Sequence, residues 1–206
     1  MKIYKIITKI IKLFLMGLML QSCVLEFKSN SNDFTMLDYN KNVIKKNIYI
    51  SNQFSFEETM LISVAIKEWE ETTFNFIKFN ILEEVDPIKY QSLPNKKDSI
   101  LFLRVRSDNS YVQHLDTTMT NNNIIIGFYT NEDIIPIIGI VYDRLLGKSH
   151  YKSLILHELG HSLGLQHSSN INSVMYPLLD RCTDTLSHED INDFCKINNC
   201  IIKTKR

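Results

Sequence analysis

The run HELGHSLGLQH, His157 to His167, constrains this chain more than any other stretch, because it prescribes a local conformation and a chemical reason for it. On a helix, His157 and His161 stand at i and i+4, so both imidazoles leave one face about one turn apart and can grip one metal ion. Ile155, Leu156, Leu159 and Leu163 fill the positions around them as packing residues that hold the rings still. Gly164 can take the left-handed conformation that stops a helix, and the chain beyond it can reverse to bring His167 back as a third nitrogen. Three imidazoles with a fourth position left to water is the donor set of a catalytic rather than a structural zinc site, so one Zn²⁺ is the expected cofactor. Glu158 stands beside the first ligand, where a carboxylate can reach a water on the ion without ligating it, the placement a general base needs. The bland alternative, a core helix that happens to contain histidine, accounts for the leucines but not for Gly164 and His167 at their offsets.

The helix is predicted to start near His150 or Lys152 and to end at Gly164. Upstream, NIYIS is a short strand, and SFEETMLISVAIKEWEE is a helix with Ser55 and Glu58 in capping-box spacing. Its Ile62, Ala65, Ile66 and Trp69 recur at i, i+3, i+4 and i+7 and should face a core. FIKFNIL alternates Ile77, Phe79 and Ile81 against Lys78 and Asn80 as a half-buried strand does, and SILFLRVR is apolar enough for a central strand. NNIIIGFYT and IIGIVYDRL are two more strands, and SHEDINDFCKI is a last helix that Ser187 can cap. The order is therefore strand, helix, four strands, then the histidine-bearing helix.

With Lys+Arg and Asp+Glu both at 23, no net field recruits nucleic acid. The 206 residues suit one domain with a sizeable core, and a monomer is expected. The N-terminus reads as an export signal: MKIYKIITKIIK is basic, LFLMGLML is an apolar run of signal-peptide length, and QSC follows. Residues 1–22 are expected to be a cleaved signal peptide, with retention as an anchor the alternative. LQSC resembles a bacterial lipobox, which implies lipidation of Cys23 and a cell-envelope lipoprotein; without lipidation the protein would be secreted. Residues 23–42 then form a polar tether, and the domain runs over 43–206. Export permits disulfides, and among Cys182, Cys195 and Cys200 the expected pair joins Cys182 to Cys195 or Cys200.

HELGHSLGLQH resembles the signature of the metzincin zinc endopeptidases, and SVMYP supplies their second mark, a methionine turn at Met175. Ser168 after the third histidine, MYP at the turn and LSHEDINDF near the end look most like the matrixin branch. The resemblance implies an α+β zincin fold, a twisted mixed five-stranded sheet with about three helices, the active-site helix and the methionine turn lying below a cleft. It implies that Met175 is an apolar floor and not a ligand. It also implies that an edge strand on the upper rim pairs with a polypeptide substrate, for which Ile124, Ile125, Ile126, Gly127 and Phe128 are the candidates. The segment after the turn, with Pro177, Leu178 and Leu179, would shape the specificity pocket. No counterpart of the family's cysteine-switch propeptide or structural metal loops is recognisable, and His114, His150 and His188 read as surface residues.

The resulting expectation is a zinc-dependent endopeptidase acting on extracytoplasmic proteins, with Glu158 as general base. Two alternatives stay open: a surface binding protein on a metzincin scaffold that has lost cleavage, and a zinc hydrolase of cell-wall amides. A metal buried without a cleft above it would favour the first of these, and failure to digest any peptide the second.

Overall fold

The computed structural model describes residues 34–36, 43–86, 98–118, 124–131, 135–145, 147–178, 183–200 and 202–204. The expected signal peptide, Cys23, Leu179 and Cys182 lie outside them. In chain order the described elements are β1 (Phe34–Met36), β2 (Ile44–Ser51), α1 (Phe56–Thr72), β3 (Ile77–Val85), β4 (Ser99–Val105), α2 (Ser110–Thr118), β5 (Gly127–Thr130), β6 (Ile137–Val141), a 3-10 turn (Tyr142–Arg144), α3 (Lys148–Ser162), α4 (His188–Asn198) and β7 (Ile202–Thr204).

Five of the strands form one mixed sheet in the order β3-β2-β4-β6-β5. β3, β2, β4 and β6 run parallel to one another, and β5 pairs antiparallel with β6. The parallel strands explain the apolar runs, since a sheet covered on both faces has no solvent side to mark with polar residues. Ile48, Ile50, Ile100, Phe102, Ile138 and Ile140 point into the main core with the buried residues of α1, α3 and α4. Tyr49, Leu101 and Ile137 alternate onto the other face, in a smaller cluster with Val85 and Ile135. Partly buried Phe128 packs on that cluster, and its ring meets Tyr111 of α2 at 5.0 Å.

The capping box of α1 is formed as its sequence requires, Ser55 accepting from the Glu58 amide and Glu58 from the Ser55 amide. Ile62, Ala65, Ile66 and Trp69 are its buried residues. Trp69 ties three helices together: its indole N–H donates to Leu156 O of α3 at 3.1 Å, and its ring centroid lies 5.8 Å from that of Phe194 in α4.

Four expectations need correction. Ile77 and Phe79 are buried, but Ile81 is 47% exposed, at the point where the register against β2 shifts from Ile48–Ile81 to Tyr49–Glu83. Leu82 is thereby left opposite no partner, which interrupts the alternation. α2 was not expected and brings the helices to four among the described residues; Val112 is its one buried residue. Phe34–Met36 falls in the expected tether yet pairs antiparallel with Ile202–Thr204. Cys195 is bonded to Cys200 and not to Cys182. The chain leaves α4 through Asn199 in the left-handed conformation, which brings the Cys195 and Cys200 Cα atoms within 4.4 Å.

Candidate active site

α3 is buried almost all round, from Tyr151 through Ser153–Gly160, so the polar side chains it carries need partners inside the protein. His157 Nδ1 lies 2.7 Å from Val174 O, and His161 Nδ1 lies 2.9 Å from Leu165 O. A carbonyl can only accept, so both rings are assigned Nδ1–H tautomers, and each Nε2 keeps its lone pair. Gly164, at φ +95°, ends the helix as expected, and the returning loop brings His167 to the same point. His161 Nε2 stands 3.0 Å from His157 Nε2 and 3.2 Å from His167 Nε2. Two neutral acceptors have no reason to approach so closely unless a cation lies between them. Zinc at 2.0–2.1 Å from tetrahedral nitrogen ligands would space those nitrogens about 3.3 Å apart, so the donor set fits that ion.

Burial keeps the three rings in the neutral form a metal requires. It pushes His157 down to about 4, helped by the neighbouring His161 and opposed by the bond to Val174 O. Burial also lowers His161 and His167. Among the described residues this triad is the one cluster of His, Cys, Asp and Glu arranged to hold a metal, and His114, His150 and His188 are not part of it.

Glu158 is 4% exposed, and its Oε2 is buried without a hydrogen-bond partner. Desolvation raises its carboxyl to about 8. Close above it runs β5. A Cβ on Gly127 would lie 2.7 Å from Leu154 Cδ1 and 3.0 Å from Glu158 Oε1, so glycine is what lets the strand approach the carboxylate.

The loop that carries His167 and Met175 is held from α4, at a distance in sequence that local patterns do not reveal. Asp190, 1% exposed, accepts from Ser173 Oγ, from the Val174 amide at 3.2 Å and from the Ser187 amide at 2.7 Å. Glu189 accepts from Ser168 Oγ and Asn170 Nδ2, each at 2.6 Å. The Ser168 amide bonds to Met175 O at 2.9 Å, closing the loop on itself. Met175 is 1% exposed and lies against α3 at Gly160, where a Cβ would stand 2.4 Å from its sulfur. Gly160 and Asp190 therefore belong to the site's framework. Their sequence signals, a glycine between the ligand histidines and a Ser-x-x-Asp cap, are too general to have revealed it.

Above the triad opens a cleft of about 550 Å³. Ile124 to Phe128 form one wall, His157, Glu158, His161 and His167 line it, and Pro177 borders it. Leu115 of α2 is an unforeseen lining residue. Leu178 is not among the lining residues of this cleft; it lines a small second cavity with Ser153 and Thr183.

Residues 143–199 match the family model described as matrixin, a stretch from the 3-10 turn to the end of α4. Interstitial collagenase of Aquarana catesbeiana is 56% identical over 36 residues, 18% of this chain and 9% of that protein. The chain thus matches less than a tenth of the length of that relative. Among solved structures, archaemetzincin from Methanopyrus kandleri aligns with TM-score 0.45 and 12% identity, over 79% of this chain and 99% of that one. Myroilysin aligns with TM-score 0.44 and 13% identity, over 76% and 80%.

Proposed function

We propose that this chain, whose residues 143–199 carry a metzincin zinc metallopeptidase centre, is an endopeptidase that cuts extracytoplasmic polypeptides with Glu158 as its general base. The observation that carries the reading is the convergence of three Nε2 atoms beside the unpartnered Glu158 Oε2, in an open cleft under edge strand β5, which has no partner strand on its outer side among the described residues. An open cleft is what a binding scaffold with a sealed metal would lack. His157, His161 and His167 would hold the zinc, which supplies a Lewis acid and a water of lowered pKa. Glu158, which lines the cleft beside the triad, takes a proton from the attacking water and delivers it to the leaving amine. The open side of β5 receives the substrate backbone by strand addition, and Gly127 brings the scissile bond next to Glu158.

Export and attachment to the envelope through a lipidated Cys23 are part of the proposal. Their support is the N-terminal sequence and the Cys195–Cys200 bond, which suits an oxidising compartment. A monomer is proposed as the working unit.

The test is a zinc-dependent digest of a peptide library. Glu158→Gln should keep about one zinc per chain and lose at least about a hundredfold in kcat/KM. Cleavage at the wild-type rate by that variant, or no cleavage by the zinc-loaded wild type, would overturn the reading.

A further inference from the structure

The rim of the cleft is fastened by an ion pair at one residue. Arg144, in the 3-10 turn, donates from Nη1 to Asp116 Oδ1 at 2.9 Å and to Ile125 O at 2.6 Å, and from Nη2 to Asp116 Oδ2 at 2.6 Å. Asp116 Oδ1 in turn accepts the Ile125 amide at 2.9 Å. Both side chains are largely enclosed, at 15% and 22% exposure. Together they consume the N–H and the C=O of a single residue at the mouth of the cleft.

Strand parity shows what those groups would otherwise do. Ile126 O accepts the Val141 amide at 2.9 Å, so Ile126 faces β6. Backbone groups alternate along an antiparallel edge, so Ile125, Gly127 and Tyr129 face the open side. Gly127 lies opposite Glu158, which places the reacting bond there. A peptide pairing with this edge finds the groups of Gly127 and Tyr129 on offer, and those of Ile125 already taken. Leu115, the residue before Asp116, walls the cleft beside this point.

We propose that Asp116 and Arg144 are positioning residues for substrate: they fix the rim strand at Ile125 and end the pairing edge two residues from Gly127. The ladder is therefore one-sided: the groups of Tyr129 remain to pair on one side of Gly127, while those of Ile125 on the other side are taken. This inference rests on the endopeptidase reading above, because it concerns the same cleft.

The experiment uses the zinc-loaded full chain and a peptide that the wild type cuts, lengthened separately on each side of the scissile bond. In the wild type, lengthening towards Tyr129 should raise kcat/KM more than the same lengthening towards Ile125, where the gain should stop within about two residues. Arg144→Ala and Asp116→Asn should raise KM for the long peptides at least about fivefold, with kcat within about twofold and zinc content unchanged. The shortest cleaved peptide, which engages little of the edge, should be nearly unaffected. Hydrogen exchange at the Ile125 amide should accelerate by about tenfold in both variants. Arg144→Lys, which keeps the charge but loses the fork, should fall between, and it carries the test if Arg144→Ala does not fold. Equal losses on short and long peptides, a fall confined to kcat, or a symmetric length dependence in the wild type would overturn the proposal. A zinc-loaded wild type that cuts no peptide would instead remove the endopeptidase reading, and this inference with it.

Discussion

Gly160 lies inside α3, where alanine would ordinarily be the better residue by about 0.8–1.0 kcal/mol. The structure reverses that sign. A Cβ at this position would stand 2.4 Å from Met175 Sδ, 3.2 Å from Met175 Cε and 3.5 Å from Trp69 Cζ2. Ordinary contact begins at about 3.5 Å, so the sulfur must withdraw by about 1 Å. At 1% exposure Met175 has little room to do so, and overpacking of this kind costs about 1–3 kcal/mol. After subtracting the propensity gain, Gly160→Ala should destabilise the protein by about 1 kcal/mol. With the sulfur removed only the propensity remains, so in a Met175→Ala background the same substitution should stabilise by about 1 kcal/mol. The two effects differ by about 2 kcal/mol, which is the expected coupling in a double-mutant cycle. Urea unfolding of the four zinc-free proteins, followed by fluorescence of the single tryptophan Trp69, measures it directly. Destabilisation of similar size in both backgrounds would show that some other neighbour makes glycine necessary.

Two further perturbations address the parts held at a distance. Asp190→Ala removes the acceptor of Ser173 Oγ and of the Val174 amide, whose carbonyl orients His157; zinc affinity should fall by about 10–100-fold in competition with a chelator, with α-helical content retained. Asp116 is held below its ordinary value chiefly by the hydrogen bonds from Arg144, against the opposing effect of burial. Because its folded pKa is depressed, the stability it contributes is present above the unfolded value of about 3.9 and is lost as pH falls through the folded one. The stability difference between wild type and Asp116→Asn should therefore be flat above about pH 5 and close below about pH 4, and a difference that does not change with pH would contradict the ion pair.

The ligand set was legible because its information is local. His157, Glu158 and His161 are related by one helical turn, Gly164 announces the reversal, and the structure adds nothing to their identity that the spacing had not stated. The core stripe of α1 was legible for the same reason, since period and cap lie within one segment. Elements whose reason lies elsewhere in the chain were not. α2 buries only Val112; what it contributes, Leu115 in the cleft and Asp116 against Arg144, depends on a turn 28 residues away. Ile81 is exposed at the point where the register against β2 shifts, and a strand's own sequence does not carry its partner's register. The cysteine pairing depended on Asn199 turning left-handed, one residue before Cys200.

These two kinds of information also divide the site by task. The matrixin match begins at residue 143, so it takes in the three ligands, Glu158, Met175 and the α4 carboxylates that hold the loop. Ile124 to Phe128, Leu115 and Asp116 lie before it, and they make the opposite wall of the cleft. The three histidines and Glu158 thus lie in the segment that matches the matrixin family model. The rim residues Ile124 to Phe128 lie before that segment, and Arg144, which holds the rim at Ile125, lies within it. A change in cleavage preference should accordingly come from substitutions at Asp116 and along Ile124–Phe128 without loss of zinc, whereas substitutions at Asp190 or Gly160 should impair every substrate alike.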